Sequence, residues 1–151
     1  MFTKDQLVSR VIQELSEKVF TLKKDIQSLV RDSSENSKPT SGDKHEVGLE
    51  MSMGELDRLS GQLDAYKRQL SELELMDLSG KTKVGKGSIV QTNRGLFFIS
   101  VAYGLVKLEK EAVFCLSPQS PLAIAFAGSG EGDSILLNDL EPVSYTHLTL
   151  P

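Results

Sequence analysis

Ser41-Gly42-Asp43-Lys44-His45-Glu46 is a short acidic stretch between two runs of heptad-spaced apolar residues, and the fold follows from that placement. Before it, Val8, Ile12, Leu15, Val19, Leu22, Ile26 and Leu29 recur at alternating spacings of four and three. After it, Leu56, Leu59, Leu63, Tyr66, Leu70 and Leu73 alternate three and four. Sustained spacing of this kind gives each helix one apolar seam that must be buried against another surface. The connection is polar, so each seam's nearest partner is the other helix. The sequence therefore predicts an antiparallel coiled-coil hairpin over residues 4–78, with Asp43 and Glu46 at an acidic tip near 41–46.

The pattern puts the first helix from about Lys4 to Arg31, a rod of roughly 40 Å. Asp32-Ser33-Ser34-Glu35-Asn36-Ser37-Lys38-Pro39-Thr40 reads as a polar loop, since Pro39 disfavours helix at the residue before it. The second helix is expected to begin near Asp43 or Lys44 and end around Asp77, with Ser79-Gly80 as the stop. Gly48, Gly54 and Gly61 weaken its first half, by up to ~1 kcal/mol each relative to Ala. Asp43 at the N-cap with Glu46 at N3 is also a capping box, so local chemistry alone explains both carboxylates.

From Lys83 the pattern changes to strands and turns. Gly87–Thr92, Leu96–Val101, Leu105–Leu108 and Ala112–Leu116 read as strands, with Asn93-Arg94-Gly95 as a turn. Ser117-Pro118-Gln119-Ser120-Pro121 leads into a short helix, Leu122–Ala127, closed by Gly128. Gly130-Glu131-Gly132-Asp133 is a turn and Ser134–Asn138 a last strand. A sheet of this size with one short helix makes a small α+β domain over 83–141, and the fold class of the whole chain is α+β. Cys115, inside an apolar strand, is expected in the core. Of Phe97 and Phe98, one should face the core and the other a partner surface.

Charge is uneven. Residues 1–78 hold 11 Lys+Arg against 15 Asp+Glu, a net of −4, whereas residues 79–151 hold six of each. This balance leaves no strong footprint for phosphate-backbone binding; Arg58, Lys67 and Arg68 read as a solvated helix face, with contact to RNA or to an acidic protein face as the alternative. One cysteine excludes a disulfide and a cysteine-built metal site, and His45 and His147 are too far apart in sequence to suggest a ligand pair. His45 reads as incidental to the turn. No stretch approaches the ~20 apolar residues of a membrane span. The N-terminus, Met1-Phe2-Thr3-Lys4-Asp5-Gln6, lacks a signal-peptide apolar core, so the expected location is cytoplasmic.

Val143-Ser144-Tyr145-Thr146-His147-Leu148-Thr149-Leu150-Pro151 can be encoded by the transposon mosaic end and adapter of a common sequencing-library method. Residues 143–151 are therefore read as an adapter-derived tail, His147 as without functional meaning, and the natural sequence as interrupted near Glu141.

Three motifs now resemble a known family. Val84-Gly85-Lys86-Gly87-Ser88-Ile89-Val90 resembles the opening of the C-terminal domain of bacterial Gre transcript-cleavage factors. Ser117-Pro118-Gln119-Ser120-Pro121-Leu122-Ala123, followed by Ala125-Phe126-Ala127-Gly128 and Gly132-Asp133, is similar to that domain's Ser-Pro-Leu, small-residue helix and Gly-Asp turn. Gly42-Asp43-x-x-Glu46 is similar to the Gly-Asp-x-x-Glu of the Gre coiled-coil tip. The motifs fall in the family's order across most of residues 4–141, as in a divergent subgroup.

The resemblance implies an FKBP-like C-terminal domain that binds RNA polymerase, here through the Ser117, Pro118, Ser120 and Pro121 region. It implies a coiled coil inserted into the polymerase secondary channel. Asp43 and Glu46 would there help hold a transient Mg²⁺ and a water beside the polymerase's own metal, so that the backtracked RNA 3′ end is hydrolysed. Mg²⁺ takes hard oxygen ligands and keeps several waters, and a second metal about 4 Å from the first stabilises attacking and leaving oxygens. The catalysis is the polymerase's, stimulated by the factor, which carries no small-molecule substrate or resident cofactor of its own.

The chain departs from the family at Val47, where Asn is usual, and at Gly48-Leu49-Glu50, where an aromatic-containing run is usual. These departures bear on cleavage more than on polymerase binding. Two other readings follow: a regulator that occupies the channel without cleavage, and, more remotely, a peptidyl-prolyl isomerase suggested by the FKBP-type fold. The latter needs an aromatic-lined pocket, and the chain has no Trp and few aromatics.

Overall fold

The computed structural model describes residues 2–35, 42–79, 83–127, 134–137 and 141–148, with side chains for all of these except 33–35, 42–52, 134–137 and 141–148. Two long helices come first, α1 (Lys4–Glu35) and α2 (Gly42–Glu74). Strands β1 (Ile89–Thr92), β2 (Gly95–Ile99), β3 (Gly104–Leu108) and β4 (Glu111–Leu116) follow, then α3 (Pro121–Phe126), β5 (Ser134–Leu137) and β6 (Glu141–Leu148). The architecture is α+β. The chain divides into two compact units, residues 14–70 and residues 1–13 with 71–151.

The first unit is a pair of helices. α1 has 32 residues and α2 has 33, each about 48 Å long. Only six residues join them, a reach of about 20 Å, so a contact between the middle of α1 and the middle of α2 requires the second helix to run back along the first. Lys18 and Tyr66 fix the pairing: the ammonium lies 5.6 Å from the ring centroid. Leu15, Leu22 and Leu59 of the predicted seams are buried, and Val19, Ile26, Leu29, Leu56, Leu63, Tyr66 and Leu70 are half-buried. α2 passes through Gly48, Gly54 and Gly61 without a break.

The helix ends differ from expectation. α1 continues through Asp32-Ser33-Ser34-Glu35, which lacks Gly or Pro and can extend a helix already formed; the rest of the predicted loop, including Pro39, lies outside the described residues. α2 stops at Glu74 rather than Asp77. Met76 N–H donates to the Leu73 carbonyl (3.4 Å), the tightened bond of a closing turn, and Asp77 Oδ1 accepts from Ser79 N–H (3.0 Å). An aspartate that bonds the backbone two residues on favours a turn over helix, so Asp77 belongs to the turn that follows α2 and not to its last turn. Gly80 lies outside the described residues.

The second unit opens on a capping box. Gln6 N–H donates to Thr3 Oγ1 (3.1 Å) and Thr3 N–H donates to Gln6 Oε1 (2.9 Å), so Thr3-x-x-Gln6 starts α1. Phe2, Leu7, Val8 and Val11 are buried within this unit. The sheet order is β3-β4-β2-β1-β6-β5, antiparallel throughout except for the parallel pair β2 and β4. Register places Val90, Phe97, Phe114 and Leu105 on one face, and Ile89, Phe98, Cys115, Val113 and Val106 on the other. The second set is buried without exception. On the first face, α3 brings Ala123 and Phe126 against Val84, Val90, Ile99 and Leu116. Phe98 and Phe126 are fully buried, each a gain of roughly 2 kcal/mol over exposure. Cys115 is core, as expected.

β1 begins at Ile89 because Gly87 and Ser88 belong to a turn. Ser88 N–H donates to the Gly85 carbonyl (3.0 Å), and Gly87, third of the four residues, has φ 90°. Most side chains avoid that region; glycine enters it freely. The last strands include residues read as an adapter tail: Tyr145, Thr146, His147 and Leu148 pair with Thr92, Gln91, Val90 and Ile89. Strand pairing uses main-chain groups that nearly every residue carries, so it is indifferent to how the codons arose. Gly128, the Gly130–Asp133 turn and Asn138 lie outside the described residues.

Candidate functional site

The acidic motif is the first candidate. Gly42 is the first residue of α2, so positions 43 and 46 both fall in the helix's opening turns, three apart and neighbours along the helical surface. Within the helical pair they sit at the end opposite residues 14 and 70. Because α2 already includes Gly42, Asp43 is a helical residue and not the N-cap that the capping-box reading requires; the side chains of Asp43, His45, Glu46 and Val47 lie outside the described residues. As donors, two carboxylates suit a hard cation but supply only part of an octahedral shell; the remainder must come from water and a partner. Among the described residues no group of three or more His, Cys, Asp or Glu side chains could hold a metal ion.

The second candidate is the loop into α3. Ser117 Oγ donates to Gln119 Oε1 (2.5 Å) and accepts from Gln119 N–H (3.2 Å), while Ser120 N–H donates to the Ser117 carbonyl (3.0 Å). Ser120 Oγ accepts from Ala123 N–H (3.2 Å) as the N-cap of α3, and Pro121 fills the first helical position, where a missing N–H costs nothing. Both hydroxyls are thus used inside the loop. Gln119 and Pro121 remain exposed, with Pro118 half-buried beside them.

Sequence reasoning missed the apolar residues near this loop. Ile124 of α3 is 61 % exposed, and the cross-strand pair Leu105 and Phe114 is 56 % and 45 % exposed. Leu105 and Phe114 lie on the sheet face that α3 covers, because Phe114 meets Phe97 edge-on (centroids 6.3 Å apart) and Phe97 meets Phe126 (6.1 Å). Six helical residues are too few to cover that face as far as β3. Strand alternation could have put Leu105 and Phe114 on a common face; it could not show where α3 ends. Phe97, the expected alternative to a core phenylalanine, is half-buried under Phe126, while Phe98 is core.

Of the basic residues on α2, Arg58 makes a two-pronged bond to Glu55, Nε to Oε2 at 2.9 Å and Nη2 to Oε1 at 2.6 Å. This hydrogen bond, backed by the charge of Arg58, holds the Glu55 carboxyl below the usual carboxylate range. Lys67 and Arg68 are exposed. No helix among the described residues is long and apolar enough to cross a membrane.

No protein-family model matches the sequence, and no curated protein matches it. Solved structures similar to the chain include the transcription factor Gfh1, at 18 % identity over 93 % of each chain and a TM-score of 0.39. The GreA factor homolog 1 (Gfh1) protein of Thermus thermophilus is 17 % identical over 91 % of this chain and 92 % of that one, with a TM-score of 0.34. Gfh1 of Thermus aquaticus is 18 % identical over 93 % of each chain, with a TM-score of 0.39. Likeness at these identities and scores assigns no function.

Proposed function

We propose that this chain is a Gre-like transcription factor that binds RNA polymerase and stimulates cleavage of backtracked RNA through Asp43 and Glu46. One observation carries the reading: the Gly42-Asp43-x-x-Glu46 motif opens the second of two long antiparallel helices, at the end of the pair farthest from where the chain enters and leaves it. A stiff two-helix rod, only a helix pair wide, suits a narrow channel, and carboxylates at its end are delivered to whatever lies at the bottom. Mg²⁺, when bound, supplies positive charge at the scissile phosphate. Asp43 and Glu46 offer it oxygen ligands and orient water at that position. Exposed Pro121 of the Ser117–Pro121 loop and exposed Ile124 of α3 support polymerase binding by the α+β unit. The packing of the aromatic rings counts against an isomerase, since Phe98 and Phe126 are core and Phe97 packs against Phe126.

The test uses stalled, backtracked elongation complexes with end-labelled RNA. Native protein should shorten the RNA, and Asp43→Ala/Glu46→Ala should not, while both proteins footprint on the polymerase. Equal shortening by the two proteins would overturn the assignment of the carboxylates. A second reading, a channel-occupying regulator without cleavage, is favoured by Val47 in place of the usual Asn. It predicts a polymerase footprint and no shortening with either protein.

A further inference from the structure

No further inference is drawn: the strongest candidate, the exposed apolar patch that Leu105 of β3 and Phe114 of β4 form beyond the cover of α3, belongs to the candidate site already described, and nothing in the structure shows what else covers it.

Discussion

Gly87 shows how one residue can fix the entry to the sheet. Its N–H donates to the Ile99 carbonyl (2.7 Å), its φ is 90°, and a Cβ built on it would collide with the Asp77 carbonyl oxygen. Two independent penalties therefore fall on any side chain here: a left-handed backbone, about 1–2 kcal/mol for an L-residue, and a clash with main chain that cannot swing aside. Gly87→Ala should lower stability by at least about 2 kcal/mol in urea denaturation; a loss under about 0.5 kcal/mol would show that neither the left-handed backbone at 87 nor the 77–87 contact is held in solution. At Glu55 the effect is electrostatic and small, because the pair lies on the solvent-exposed surface of α2. Its folded value lies below its unfolded one, so the Arg58 bond contributes at pH above the unfolded value and is lost as pH falls through the folded value. In a ¹³C carboxyl titration the Glu55 midpoint should rise toward the ordinary value in Arg58→Gln. An unchanged midpoint would mean that the bond does not persist in water.

Among the elements, α2 is built against its own propensity. Gly54 and Gly61 are exposed positions in the helix interior, and a methyl group added at either meets nothing within 4 Å. The glycine cost is then chiefly entropic and recoverable. Gly54→Ala and Gly61→Ala should each stabilise the protein by about 0.5–1 kcal/mol, additively, in denaturant melts; a loss of stability in either would mean that α2 bends there in solution. That α2 forms at all was legible from Leu56 to Leu73, since a 3-4 apolar repeat is a local signal and the burial of Leu59 and Leu73 follows it. Strand identity was legible from short apolar, β-prone runs bounded by turn residues, Leu96–Val101 and Ala112–Leu116, of which β2 and β4 form the greater part. The Thr3-x-x-Gln6 box was in plain view and unread. Other features depend on partners remote in sequence. The parallel pairing of β2 with β4, with β3 sent to the edge, is set by which strands share a buried face. The exposure of Leu105 and Phe114 is set by the reach of a six-residue helix, and that of Ile124 by its place away from the buried Ala123 and Phe126 of the same helix. The motifs at Asp43, Glu46 and Ser117–Pro121 are local in sequence and can be named from the residues alone, whereas the exposed apolar residues beside α3 cannot.

At the scale of the whole molecule, the charge distribution constrains how such a factor could meet RNA. A protein that binds the phosphate backbone by itself needs several clustered Lys or Arg residues, each releasing counterions and steepening the salt dependence. This chain carries a formal net charge of −4, all of it in residues 1–78, where the proposed probe lies. Arg58 is already occupied by Glu55, and Lys67 and Arg68 lie on the same helix as Asp64 and Glu72. Contact with nascent RNA should therefore depend on polymerase to bring the two acidic partners together, and binding to free RNA should be absent. Fluorescence anisotropy with a labelled single-stranded RNA should show no saturable binding at 0.15 M salt up to about 100 µM protein, the weak end of the range in which non-specific binders bind. Polymerase should retain the chain under the same conditions. Saturable RNA binding that weakens steeply with salt would expose a basic surface at odds with this charge balance, and would make RNA, rather than polymerase, the first partner. Retention by polymerase without RNA binding would leave the acidic helix end as a group delivered to its target by the partner, the role that its negative charge fits and that free RNA would oppose.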